Sequence, residues 1–129
     1  MPANDKKSDY VVGVDFGGTK IYAGLFTANL NLVGTSKMTT KAMRGQGAVL
    51  DRIARCVKDV VDECDLTMGN VRAVGIGAPG VVDPEAGRII VAPNLDWKDV
   101  PFEKELEKRL DVPVVLQNHA NAALVGIYE

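Results

Sequence analysis

Tyr10-Val11-Val12-Gly13-Val14-Asp15-Phe16-Gly17-Gly18-Thr19-Lys20-Ile21-Tyr22-Ala23-Gly24-Leu25-Phe26 decides how this chain folds. Tyr10–Asp15 is rich in β-branched residues and reads as a strand. The Gly17-Gly18 pair breaks it, and Ile21–Phe26 resumes as a second strand. Two adjacent glycines allow a sharp turn with positive φ, and they carry no Cβ to obstruct an approaching group. Successive amide N–H groups in such a turn form a concave nest for phosphate oxygens. Thr19 adds a hydroxyl and Lys20 a cation, while Asp15 at the strand end suits a hydrated magnesium ion. A plain reading stands beside this one: a tight β-hairpin whose glycines serve geometry alone. The P-loop pattern of Gly, four residues, Gly, Lys and Ser/Thr does not occur.

Outward from this segment, Leu32–Thr40 fits a third strand, so the opening is an antiparallel meander after a loose polar arm at residues 1–9. The period then changes. Val49, Leu50, Ile53, Ala54, Val57, Val60, Val61 and Cys64 recur at spacings of three and four, which predicts a helix with one broad apolar stripe. Val71–Ile76 follows as a short buried strand. Val81-Val82 and Arg88–Val91 flank Asp83-Pro84-Glu85-Ala86-Gly87 as a hairpin. Pro101-Phe102 opens a charged helix to Leu110, Val112–Leu116 is another strand, and Ala120–Glu129 begins a helix. The order is strand, strand, strand, helix, strand, helix, strand, helix. It predicts an α/β domain with a mixed sheet and helices against its faces over residues 10–129. The last helix has no stop signal, which leads us to expect that the natural polypeptide continues.

Composition narrows the class. The 129 residues are 47% hydrophobic and 25% charged, an ordinary globular balance. A net charge of −2, with no run of like charges, argues against a nucleic-acid grip. The longest apolar stretches, Ile89–Ala92 and Ala122–Val125, have four residues each, against about 18 for a membrane helix. Met1–Asp9 lacks the apolar core of a signal peptide. Cys56 and Cys64 make no disulfide framework and, lying on the apolar stripe, read as core rather than metal ligands. The expectation is a soluble, cytoplasmic domain with no metal cluster of its own.

Gly75-Ile76-Gly77-Ala78-Pro79-Gly80 satisfies the G-x-G-x-x-G string of dinucleotide-binding folds. That mechanism needs a helix starting at the third glycine. Val81-Val82-Asp83-Pro84 follows instead, so the dinucleotide reading fails, although a wall for a small molecule remains open.

Taken in order, Val14–Lys20, Gly75–Gly80, Ala92-Pro93-Asn94-Leu95-Asp96-Trp97 and Gln117-Asn118-His119-Ala120-Asn121-Ala122-Ala123 resemble the N-terminal domain of the ROK family (repressors, open reading frames and sugar kinases), particularly its bacterial glucokinase members. The similarity spans roughly residues 10–129. It implies a ribonuclease-H-like fold of the actin-like ATPase superfamily, three antiparallel strands followed by alternating helices and strands. It also implies ATP and Mg2+ as nucleotide and cofactor, a hexose such as glucose as substrate, and transfer of the γ-phosphoryl group to the 6-hydroxyl. On this resemblance Asp15, Gly17, Gly18, Thr19 and Lys20 match the phosphate and magnesium loop. Gly80 matches the hexose-pocket wall, and Asn94 and Asn118 match positions that bond sugar hydroxyls. A buried amide suits that role, since it both donates and accepts.

One residue departs from the pattern. In kinases of the family an aspartate follows the Asn118 equivalent and accepts the proton of the attacking hydroxyl; here the residue is His119. Imidazole titrates near neutrality, but it is bulkier, offers one acceptor and becomes cationic on protonation. We expect His119 to line the sugar pocket and to catalyse poorly, which leaves a non-catalytic sugar-binding or regulatory module as the alternative. The family's adenosine site and zinc cluster lie in a C-terminal domain outside these residues, and the chain alone is expected to be inactive. Members commonly form homo-oligomers. No helix-turn-helix segment precedes Tyr10 here, which favours the kinase branch over the repressors. Trp97 is expected to anchor the Asn94 loop.

Overall fold

The computed structural model describes residues 9–118. Strands β1 (Tyr10–Phe16), β2 (Lys20–Thr27) and β3 (Leu32–Thr39) form the expected meander, and helix α1 (Gln46–Glu63) follows. Then come β4 (Val71–Ala78), β5 (Val81–Asp83), β6 (Arg88–Ala92), β7 (Trp97–Val100), helix α2 (Phe102–Leu110) and β8 (Val114–Asn118). The main sheet has the order β3-β2-β1-β4-β8. β1 pairs antiparallel with β2, and β2 with β3, whereas β1, β4 and β8 run parallel. The sheet is mixed, as the meander followed by alternating elements predicts.

Period-two alternation in the strands sends Val12, Val14 and Phe16 of β1, and Ile21, Ala23 and Leu25 of β2, into the core. α1 meets them with Val49, Leu50, Ile53, Cys56, Val57 and Val60, all at most 1% exposed. α1 lies over β2 and β3, while α2 touches α1 and β8. Tyr22 and Val115, which alternate to the other side, are 45% and 47% exposed. Both described helices therefore cover one face of the sheet. The helix expected over Ala120–Glu129 lies outside the described residues.

The sequence reading also missed a second sheet. β5, β6 and β7 form a three-stranded antiparallel unit, and Trp97–Val100, unassigned from sequence, is its third strand. Four residues ending in Lys-Asp carry too little alternation to announce a strand. Pairing of Val91 with Lys98 and Ala92 with Trp97 is what makes it one.

α2 secures the outer edge of β8. The Val114 and Leu116 amides donate to the carboxylates of Glu107 (3.0 Å) and Glu103 (2.8 Å). Two N–H groups of the edge strand are thus satisfied by a helix rather than left for another chain. Glu103 also takes up the hairpin tip: its own amide donates to the Gly87 carbonyl at 3.0 Å. A Cβ on Gly87, where φ is +69°, would lie 2.5 Å from the Glu103 carboxylate. The glycine is required there on both counts.

Candidate functional site

Because β1, β4 and β8 are parallel, their carboxyl ends share one edge of the sheet, the place where open α/β sheets hold ligands. Register puts Asp15 beside Gly77, and Gly77 beside Gln117; one step further Ala78 stands beside Asn118. Asp15 is exposed at this edge. Asp15 and Asn118, 103 positions apart in the chain, thus arrive at the same end of the two strands that flank β4. His119 lies outside the described residues.

The Gly17-Gly18-Thr19 turn closes β1 onto β2 at that edge. The Gly17 amide donates to the Lys20 carbonyl at 2.9 Å, the bond that shuts the hairpin. The amides of Gly18 and Thr19 enter no hydrogen bond among the described residues. Neither glycine has positive φ, so the turn does not use the freedom that the pair allows. Their value is the missing side chain. A Cβ on Gly17 would sit 3.4 Å from the Lys20 carbonyl oxygen, and one on Gly18 would sit 3.6 Å from Cβ of Asn94. The turn expected to receive phosphate and the residue expected to bind a sugar hydroxyl are therefore close enough that one added methyl would bring them into contact.

Asn94 rides on a single 3-10 turn, Pro93–Leu95, between β6 and β7, ended by Asp96 at φ +59°. It is exposed, so the amide expected to be buried stands at the surface of the edge instead. A polar residue at the middle of a one-turn helix has no core to enter. Its neighbours do: Leu95 is 5% and Trp97 3% exposed. Trp97 packs against Phe16 with centroids 5.4 Å apart and against Phe102 at 6.3 Å, while Phe16 and Phe102 stack at 5.7 Å. This aromatic trio ties the end of β1, the Asn94 loop and the start of α2 together beneath the edge. Trp97 is thus an anchor, as expected, with its indole N–H unpartnered among the described residues.

Gly80 adopts φ +85°, and a Cβ there would collide with the Val91 carbonyl and come within 2.9 Å of Ala92 Cα. It lets the turn after β4 press on the strand that leads to Asn94. No helix starts there, in agreement with rejection of the dinucleotide string. Sequence reasoning passed over Thr40, which holds the glycine turn from behind, and Arg52, which bonds the neighbouring Thr39. Thr40 Oγ1 donates to the Gly17 carbonyl at 2.7 Å. A threonine at a strand end carries no signal of such a contact. Burial pushes the Cys56 thiol up from its usual range, despite a hydrogen bond to Ser36 that acts the other way. Cys56 is a core residue as expected.

A mixed five-stranded sheet with a glycine turn at the carboxyl edge of β1 and an asparagine loop beside it defines a ribonuclease-H-like domain of the actin-like ATPase class. The ROK family pattern matches residues 11–128, and the chain belongs to the ROK family. The glucokinase of Streptomyces coelicolor is 39% identical over 119 residues, covering 92% of this chain and 35% of the relative. The crystal structure of a ROK family glucokinase from Streptomyces griseus, in complex with glucose and AMPPNP, superposes with a TM-score of 0.80 at 37% identity, covering 92% of this chain and 36% of that one. The xylose repressor of Caldicellulosiruptor bescii is 28% identical over 120 residues, covering 90% of this chain and 29% of the relative. The chain spans about a third of the length of the relatives it matches, and both sugar kinases and repressors are among them. Among the described residues no helix is long and apolar enough to cross a membrane.

Proposed function

We propose that this chain is the N-terminal, sugar- and phosphate-binding part of an ATP-dependent hexose kinase. The whole protein would pass the γ-phosphoryl group to the 6-hydroxyl of glucose or a similar hexose in the cytoplasm. The reading is carried by one juxtaposition, the 3.6 Å approach of the Gly18 Cβ position to Asn94. Phosphoryl transfer rests on positioning and charge neutralisation, so donor and acceptor sites must adjoin.

The Gly18 and Thr19 amides, the Thr19 hydroxyl and the Lys20 ammonium receive phosphate oxygens. The carboxamides of Asn94 and Asn118 pair with sugar hydroxyls, and Gly80 shapes the wall beneath them. No group of three or more His, Cys, Asp or Glu side chains suited to a metal occurs among the described residues. One exposed carboxylate, Asp15, fits a magnesium ion held chiefly by water and phosphate oxygens. Bound there, the ion would offset charge on the transferring group. His119, next after Asn118, takes the place of the proton acceptor. The adenosine site falls to the remaining length of such proteins.

The test is titration of the full-length protein with glucose and with magnesium–ATP, followed by His119→Asp. Binding of both ligands and a large gain in turnover support a kinase pocket with a weakened base. Absence of binding to either ligand removes the reading. A second reading, a sugar-responsive regulatory module, is favoured by His119 itself and by the repressor among the relatives. Tight sugar binding with no gain from His119→Asp would select it. The 129 residues alone should not turn over, and kinase rates from them would overturn assignment of the adenosine site elsewhere.

A further inference from the structure

Thr40 is the one buried polar residue in the described core, at 0% exposure. It lies just beyond β3, 20 or more positions from the groups that it touches. Its hydroxyl donates to the Gly17 carbonyl at 2.7 Å and its amide donates to the Thr19 carbonyl at 2.8 Å. Both bonds take carbonyls of the glycine turn, and neither takes an N–H.

Peptide planarity turns this into a directional constraint. In a trans peptide the C=O of one residue and the N–H of the next point in opposite directions. Holding the Gly17 carbonyl toward Thr40 therefore turns the Gly18 amide away from β3. The same rule applies one layer back. Arg52 of α1 donates from Nε to the Thr39 carbonyl at 2.8 Å and from Nη2 to the Thr39 hydroxyl at 3.2 Å. The Thr39 carbonyl and the Thr40 amide belong to one peptide unit, so pinning one end aims the other at Thr19. Arg52, Thr39, Thr40 and the turn form a continuous relay from helix to loop. Neither turn glycine is locked by a positive φ, so the closing bond from Gly17 to Lys20 and the two bonds from Thr40 together fix the turn.

We propose that Thr40 is a positioning residue for phosphate recognition: by taking the Gly17 carbonyl inward it presents the Gly18 amide as a donor, and by taking the Thr19 carbonyl as well it fixes the peptide units on both sides of the one that carries the Thr19 amide, without touching the ligand. This rests on the kinase-type reading above. The hydroxyl, not the methyl, is the acting group, and among the described residues no hydrogen bond joins Thr40 to Asn94.

The test uses the full-length protein, with magnesium–ADP and glucose titrated separately by calorimetry. Thr40→Val removes the hydroxyl at nearly constant shape. Loss of one hydrogen bond to the turn should weaken magnesium–ADP binding by about tenfold, with glucose affinity within twofold and kcat less affected than the KM for ATP. Thr40→Ser keeps the hydroxyl and should restore nucleotide affinity to within twofold of wild type. Should Thr40→Val lose its cooperative unfolding transition, Thr40→Ala against Thr40→Ser makes the same comparison. Equal magnesium–ADP affinity in wild type and the hydroxyl-free variant overturns the positioning role alone. So does equal weakening for glucose and nucleotide, or failure of Ser to rescue. A wild type that binds no magnesium–ADP overturns the kinase-type reading, and this proposal with it.

Discussion

Replacing Phe102 by alanine tests whether the aromatic trio is the foundation of the edge. Phe102 is fully buried, stacked on Phe16 at 5.7 Å with planes 7° apart, and 6.3 Å from Trp97. Phe→Ala in a packed core costs about 3–5 kcal/mol. Two aromatic pairs, each worth about 0.5–1.5 kcal/mol beyond area, place this site toward the upper end. We expect a loss of about 4 kcal/mol. For a domain of this size, stable by roughly 6–19 kcal/mol at about 0.05–0.15 kcal/mol per residue, that is a substantial share. Urea unfolding followed by far-UV circular dichroism should show the midpoint falling by roughly 2 M at an m-value near 2 kcal/mol/M. Trp97 is the sole tryptophan and is 3% exposed, so its emission should shift to the red as water reaches the vacated space. Phe16 leads directly into Gly17, and Trp97 lies three residues past Asn94. The same variant should therefore weaken ligand binding at the turn, whereas Phe102→Leu, with less volume lost, should cost about 1–2 kcal/mol. A Phe102→Ala penalty below about 1.5 kcal/mol, with Trp97 emission unmoved, would refute the view that this ring supports the site.

Other perturbations separate fold from site. Gly18→Ala adds a methyl at ordinary contact distance from Asn94 and meets no positive φ; stability should change by less than about 0.5 kcal/mol, while calorimetric affinity for magnesium–ADP falls. Gly80→Ala, at φ +85° and against the Val91 carbonyl, should instead cost more than about 2 kcal/mol in urea unfolding, since strain and collision add. Native Cys56 should resist a thiol-specific reagent until the chain unfolds, because the buried thiol has its pKa raised by desolvation; labelling at the rate of an unfolded thiol would contradict this. Arg88 holds the Asp99 carboxyl below its usual range by a hydrogen bond, and Arg109 does the same for Glu105. Their stabilisation is present above the ordinary carboxylate pKa and is lost as pH falls through the lowered values. Arg88→Ala and Arg109→Ala should each flatten the acid limb of a stability–pH curve, the more so at low salt.

The meander, the long helix and the parallel strands were legible because each rests on a local period that burial on one face imposes. Val12, Val14 and Phe16 alternate, Val49 to Val61 recur every three or four residues, and the core accepts both patterns as written. The candidate site was legible only as motifs: the Gly17-Gly18 pair suggests amide donors, and the sugar roles of Asn94 and Asn118 are what the family resemblance implies. Only tertiary structure showed that Gly18 abuts Asn94, since 76 residues separate them and no local period encodes that contact. Strand β7 exists because β6 lies beside it, not because Trp97–Val100 favours extension. Glu103 and Glu107 look in the sequence like solvated helix charges, yet they cap the edge of β8. Thr40 looks like a strand end, yet it governs how the glycine turn faces. Short-range periodicity sets which side of an element is apolar; which distant carbonyl a buried hydroxyl meets depends on how the elements pack, and that belongs to the folded chain alone.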